Sequence, residues 1–325
     1  MARMNYAQAA CAALDDAMRR DARVVVVGED VGRGGIFGQY RGLQQTFGAA
    51  RVIDTPISEA TIMGAAVGMA LAGLQPVVEM RVVDFALCAI DELVNQAAKA
   101  RYIFGGQGRV GMVARLPNGL WSGSAAQHSQ SLEAWFAHIP GLVVVAPATP
   151  QDNFSLLRAS LACGDPVVYL DHKELWGLEG EVAPAQTARL GEAEIVRAGH
   201  DVTVVTWSRT RHAALEAAAL AEKQGVSLEV IDLRTIWPWD REAVLASAAR
   251  SGRVLVAHEA VQVAGFGAEI AATLAEHSDA RVRRLGAPRI PVGYSKPLED
   301  ESRITLQAIA AACIELRNAR PAHRG

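Results

Sequence analysis

The sequence is short of aromatic residues, 6% of its 325 positions, and has only four cysteines. Cys11, Cys88, Cys163 and Cys313 stand far apart, so no zinc knuckle or redox pair is present. They are expected to be reduced and mostly buried thiols of a cytoplasmic protein. No charge of one sign dominates: 32 Lys plus Arg face 35 Asp plus Glu, a net charge of −3. That balance gives no field to attract nucleic acid or an anionic membrane. Because no run of eighteen apolar residues occurs, a membrane-spanning helix is excluded. The alanine-rich start, Met1 to Leu14, runs straight into Asp15 and Asp16 and reads as a first helix, not a secretory leader. Also missing are a phosphate loop, a G-x-S-x-G nucleophile elbow and any close His or Cys cluster for a metal.

What is present is a rhythm of short apolar runs and helix-length segments. The runs are Arg23 to Val27, Arg51 to Ile53, Pro76 to Met80, Val110 to Ala114, Leu142 to Ala146, Pro166 to Leu170, Val202 to Trp207, Leu228 to Leu233 and Val254 to Ala257. Several are continuous valine-rich stretches, as strands covered on both faces of a parallel sheet require. The fold class is therefore α/β, with helices expected at Thr210 to Gln224, Asp240 to Ala249, Ala268 to Glu276 and Ile304 to Ala319. The rhythm breaks in a Gly-, Glu- and Pro-containing stretch near Gly177 to Pro184. We place one domain at 1–180, a linker at 181–199 and a second domain at 200–325, both of ordinary size.

From Ser58 to Gly73 the chain reads S-E-A-T-I-M-G-A-A-V-G-M-A-L-A-G. Gly64, Gly68 and Ala72 are four apart and share one helix face. A glycine there costs about 0.5–1 kcal/mol against alanine, so the face is expected to meet another backbone closely, within the domain or across a subunit contact. Ser58 is expected to cap this helix and Gly73 to end it. The string Gly106 to Gly111 matches G-x-G-x-x-G, but an expected helix (Phe85 to about Phe104) precedes it and a strand follows. The dinucleotide fingerprint needs the opposite order.

Two candidates for chemistry remain. Glu59 stands in the first turn after a strand, where parallel sheets collect ligands, although an acid there also complements the helix dipole. His128 lies in a polar loop, A-Q-H-S-Q-S, and could move protons near neutral pH or serve only as a cap or surface residue.

Taken together, these pieces resemble one family. The string Asp54 to Glu59 (D-T-P-I-S-E), the helix from Gly64 to Gly73, Pro76 to Glu79, Asp84 and Phe85, Asn95 to Lys99 and Gln127 to Gln130 (Q-H-S-Q) are similar to the beta subunit of the thiamine-diphosphate-dependent first component of 2-oxoacid dehydrogenase complexes. Pro140 to Pro147, Asp165 to Tyr169, Ile231 to Thr235 and Gly265 to Ile270 continue the likeness, which runs from about Met4 to Cys313. It implies a pyrimidine-binding α/β domain followed by a C-terminal domain of the transketolase type. It gives Glu59 the task of hydrogen-bonding the cofactor's pyrimidine nitrogen, favouring the tautomer that takes the thiazolium proton. Desolvation would raise that carboxyl's pKa and the helix N-terminus would lower it.

By the same resemblance Phe85 stacks on the aminopyrimidine and Ile57 lines its pocket, a role that competes with a plain core position for Phe85. His128 assists with the 2-oxo acid or with acyl transfer to a lipoyl group. A potassium ion would sit on the carbonyls of Met112, Ser160, Leu161, Cys163 and Asp165. The Gly-Asp-Gly motif that holds the magnesium diphosphate is missing. In Gly164-Asp165-Pro166 the proline has no backbone donor. The resemblance thus implies half a cofactor site, an alpha subunit with the other half and its Mg2+, an α2β2 assembly, and a lipoyl-bearing acyltransferase. Arg81 and Trp176 depart from the family pattern, and His172-Lys173 with the segment Leu178 to Val182 points to the acetoin and pyruvate branches. A nicotinamide-dependent oxidoreductase and a non-catalytic assembly subunit stand as rival readings.

Overall fold

The computed structural model describes residues 1–319. Each of the valine-rich runs forms a strand. Seven strands build the first sheet in the order Thr235–Trp237, Val143–Val145, Val167–Tyr169, Val113–Arg115, Gln75–Glu79, Val24–Gly28, Val52–Asp54. All neighbours are parallel except Thr235–Trp237, which runs antiparallel to Val143–Val145. Val24–Gly28 is buried throughout, as a central strand covered on both faces must be. A second sheet has the order Arg281–Ala287, Arg253–Val261, Val202–Thr206, Leu228–Asp232, Glu194–Arg197 and is parallel apart from the last strand. The expected α/β class is what forms.

Helix Tyr6–Arg20 opens with a reciprocal cap between Asn5 and Gln8 and ends on Arg19 and Arg20, each favourable at its end of the helix dipole. It packs with Pro150–Cys163 on one face of the first sheet. Glu59–Leu71 and the segment after Val83 cover the other. A single apolar cluster runs from Ile62 and Met63 through Val144 and Ala146 to Trp207, Ile231 and Val256. The two sheets therefore share a core.

Several local expectations are corrected. Residues 85–104 do not form one α-helix. They form a 3-10 turn at Val83–Ala89, a π-helical stretch at Glu92–Ala97 and a short α-helix at Ala98–Ile103. Gly64 makes the close approach within the chain, since a Cβ there would stand 3.4 Å from Glu92, whereas Gly68 faces open space. Ser58 gives no side-chain cap because its hydroxyl donates back to the Pro56 carbonyl at 3.1 Å. Gly73 does end the helix, at φ +94°, a conformation glycine adopts without strain. Of the cysteines, all unpaired, only Cys313 is fully buried and Cys88 is exposed. Their scattered positions on helix faces, not core composition, set that exposure.

Candidate active site

The C-terminal ends of three adjacent strands gather charge. Val24–Gly28 runs into Glu29 and Asp30, Val52–Asp54 into the turn that starts helix Glu59–Leu71, and Gln75–Glu79 into Arg81. Gly28 lets the first of these strand ends lie close to the third: a Cβ on it would be 2.4 Å from the Glu79 carbonyl oxygen. Arg81 Nη1 donates to Asp30 Oδ2 at 2.9 Å, and Asp54 Oδ1 accepts from the Gly32 amide at 3.3 Å. Glu29 is the residue that sequence reasoning missed. Burial, and then the negative charge of Glu59, raise its pKa, so the two carboxyls are electrostatic neighbours. The only sequence signal for it was its place one step past a valine strand.

Glu59 is half-buried at the first position of its helix. Among the described residues its carboxylate has neither a hydrogen bond nor an ion pair. Phe85 is half-buried on the 3-10 turn that packs against this helix. Its ring meets His128 edge-on, centroids 5.1 Å apart at 79°. The structure therefore brings Phe85 and His128 together although 43 positions separate them. Ile57 lies at the rim, 77% exposed.

Beneath this surface is a buried chain of polar groups. Arg115, fully buried, donates from Nε to Asp171 Oδ2 at 2.9 Å, with Nη2 2.7 Å from the same oxygen. Its Nη1 donates to the Tyr40 hydroxyl at 2.9 Å. Tyr40 in turn donates to Glu79, whose other oxygen accepts from Gln39 Nε2 at 3.0 Å. Burial pushes the Glu79 carboxyl up to about 7, against the opposing pull of Arg115.

The carbonyl set expected for potassium lies elsewhere. Met112 precedes strand Val113–Arg115, and Ser160 to Asp165 close helix Pro150–Cys163 ahead of Val167–Tyr169. That is the N-terminal edge of the sheet, opposite Glu59. Gly111 and Gly164 approach there, with a Cβ on the first 3.4 Å from the second. The Met112 and Leu161 carbonyls already accept from the Val167 amide and from Gln75 Nε2. Trp176 stacks on Phe37 at 4.7 Å, edge-on to Tyr6, with Arg115 over its ring. None of its ring contacts is to Glu59, Phe85 or His128.

The donor set suits one part of thiamine diphosphate. A carboxyl without a partner among the described residues could meet a ring nitrogen, and a half-covered aromatic face could meet a flat heterocycle. The string from Gly106 to Gly111 follows helix Ala98–Ile103 and precedes strand Val113–Arg115, so it has no helix N-terminus to hold a dinucleotide's phosphates.

Residues 2–177 match the family described as transketolase, pyrimidine binding domain, and residues 191–309 match transketolase, C-terminal domain. The chain is 40% identical to the 2-oxoisovalerate dehydrogenase subunit beta of Bacillus subtilis, over 97% of this chain and 99% of that one. It is 41% identical to the beta subunit of an acetoin:2,6-dichlorophenolindophenol oxidoreductase of Cupriavidus necator, over 92% and 93%. Identity is again 41% to a pyruvate dehydrogenase E1 component subunit beta of Oryza sativa, over 91% and 81%. Among solved structures, a split-gene transketolase described as an inactive beta4 tetramer superposes with a TM-score of 0.82 at 23% identity, covering 95% of this chain and 97% of that one.

Proposed function

We propose the following roles for a chain that belongs to the family of beta subunits of thiamine-diphosphate-dependent 2-oxoacid and acetoin dehydrogenases. Glu59 holds the pyrimidine end of the cofactor by a hydrogen bond from or to its ring nitrogen. Phe85 offers a face to that ring, and Ile57 forms the apolar rim beside it. When bound, thiamine diphosphate supplies the nucleophilic carbon and the electron sink for breaking the bond next to a carbonyl. His128, edge-on to Phe85, accepts or donates a proton at its imidazole as substrate is cleaved and the acyl group leaves.

The site is completed by an alpha subunit that brings the magnesium diphosphate anchor, in an α2β2 assembly whose seam takes in the open Gly68 face. The acyl group passes to a lipoyl-bearing acyltransferase, in the cytoplasm. A potassium ion on the carbonyls of Met112, Ser160, Leu161, Cys163 and Asp165 would steady the N-terminal edge of the sheet. A fold divided at 181–199 fits these roles, with the cofactor residues in the first part.

The observation that carries this reading is the Glu59 carboxyl, half-buried and without a hydrogen bond or ion pair among the described residues. Glu59→Gln is the test, assayed with the alpha chain, thiamine diphosphate and pyruvate, branched-chain 2-oxo acids or acetoin. Turnover should fall about 10²–10⁴-fold, the range for losing a positioned acid–base group, with the melting temperature unchanged. Wild-type turnover in the variant would defeat the proposal.

A further inference from the structure

The loop that carries His128 is held from outside itself. Its base is closed by the Gly119 amide donating to the Gln130 carbonyl at 2.9 Å. Above that base, three charged side chains from later in the chain grip its backbone. Lys173 Nζ donates to the His128 carbonyl oxygen at 2.7 Å. Glu259 Oε1 accepts the Leu120 amide at 2.7 Å, and Glu299 Oε2 accepts the Gly123 amide at 2.7 Å. Both Lys173 and Glu299 are almost wholly buried, at 3% and 1% exposure.

Each grip is itself braced. The oxygen of Glu259 that holds Leu120 lies 2.9 Å from His172 Nε2. Burial alone would raise the Glu259 carboxyl, yet the charge and hydrogen bond of His172 hold it down at about 2, so it stays an acceptor. Glu299 is bridged by Arg303 Nη2 at 3.3 Å, and the same guanidinium clasps Glu174 through both terminal nitrogens at 2.7 Å. Burial pushes the Lys173 ammonium down to about 8, opposed by the carboxyls of Asp84, Glu259 and Glu174. Asp84, next to Phe85, also accepts from Gln130 Nε2 at 2.7 Å. The loop is thus tied to the element that presents Phe85 as well as to the second sheet.

Burying charge is expensive unless the group is paired or hydrogen-bonded. Here the compensating partners include backbone groups of one loop beside His172 and Arg303, and a charge-assisted bond to backbone is the strong kind. We propose that Lys173, Glu259 and Glu299 are positioning residues that mount the loop so that the His128 ring is kept against Phe85. Through Glu259 of the second sheet and Glu299 of helix Lys296–Asp300, the C-terminal part of the chain then acts on the loop. The role of His128 in turnover rests on the function proposed above, whereas the mount itself does not.

Hydrogen exchange on the full chain separates the two. Lys173→Met and Glu299→Ala should each speed exchange of the amides of residues 120–131 by about tenfold or more. A tenfold change corresponds to about 1.4 kcal/mol, the scale of one hydrogen bond to a charged group. Strand Val24–Gly28 should exchange as in wild type. Glu299→Gln, which keeps an accepting oxygen, should restore slow exchange at Gly123, a rescue that a general loss of packing would not show. With the alpha chain, Lys173→Met should lower kcat while leaving KM for the oxo acid near wild type. Unchanged exchange in both Lys173→Met and Glu299→Ala overturns the mount whatever the activity does. Absence of thiamine-dependent turnover in wild type instead overturns the proposed function and leaves the exchange result standing.

Discussion

Glu79→Gln isolates the effect of burying an acid under the proposed cofactor surface. Wild-type Glu79 is pushed from 4.5 up to about 7, first by burial, with Arg115 and the Tyr40 hydroxyl opposing. The folded chain therefore binds this proton more tightly than the unfolded chain does. Its contribution to stability is whole below about pH 4.5 and is lost as pH rises through about 7. A shift of that size corresponds to about 3 kcal/mol. Glutamine cannot titrate, so the wild-type minus variant difference should fall by about 2–3 kcal/mol between pH 5 and pH 8. A pH-independent offset of about 1 kcal/mol is expected as well, because the new NH2 must face either the Tyr40 or the Gln39 donor. Urea unfolding followed by tryptophan fluorescence suits the measurement, since Trp176 lies under the same Arg115. Groups elsewhere that titrate in this range cancel in the difference. Parallel wild-type and variant curves from pH 5 to pH 8 would show that Glu79 titrates near its ordinary value and refute the burial argument.

Two further outcomes can be stated. Calorimetry on this chain alone should show weak thiamine diphosphate binding that magnesium does not tighten, if the diphosphate anchor is supplied by the alpha subunit as proposed; tight magnesium-dependent binding would contradict the shared site. Arg211→Met should destabilise the chain by about 3–5 kcal/mol, since Arg211 Nη1 lies 3.1 Å from Asp232, 3.2 Å from Asp152 and 3.5 Å from Glu194. Burial and the charge of Asp152 push Asp232 up to about 7, so the loss in urea unfolding should be larger at pH 8, where the acid is ionised, than at pH 5; equal losses would count against the network.

Much of the fold was legible because the valine runs state their own burial. Val24–Gly28 needs no partner's identity to be recognised as a covered strand. Where a strand depends on a distant edge, local pattern fails. Thr235–Trp237 exists because it pairs with Val143–Val145, and Arg281–Ala287, rich in arginine, is carried by its pairing with Arg253–Val261. Neither shows a buried period of its own. The strand expected at Val110 to Ala114 slid to Val113–Arg115 because Arg115, which looks like a surface residue, is paid for by Asp171 and Tyr40 from other parts of the chain. The π-helical turn at Glu92–Ala97 has no local signature that we can identify.

The candidate site was legible in a different way. A strand-to-helix turn places Glu59 by chain direction alone, and the family strings supply Phe85 and His128. Sequence could not show that Glu59 would have no hydrogen bond or ion pair among the described residues, nor that its neighbour Glu29 would be half-buried, since both depend on how distant strand ends pack. Nor could it show that the His128 loop is held by Lys173, by Glu259 of the second sheet and by Glu299 of helix Lys296–Asp300. A loop between glycines and serines carries no code for what will grip its backbone. The difference has a general physical source: a side chain that meets a ligand leaves a residue-type signal at its own position, whereas a charge that orders another segment's amides leaves its signal in burial. Glu299 and Lys173 are informative because charged residues are almost never this buried without a task, and here the task is to hold backbone.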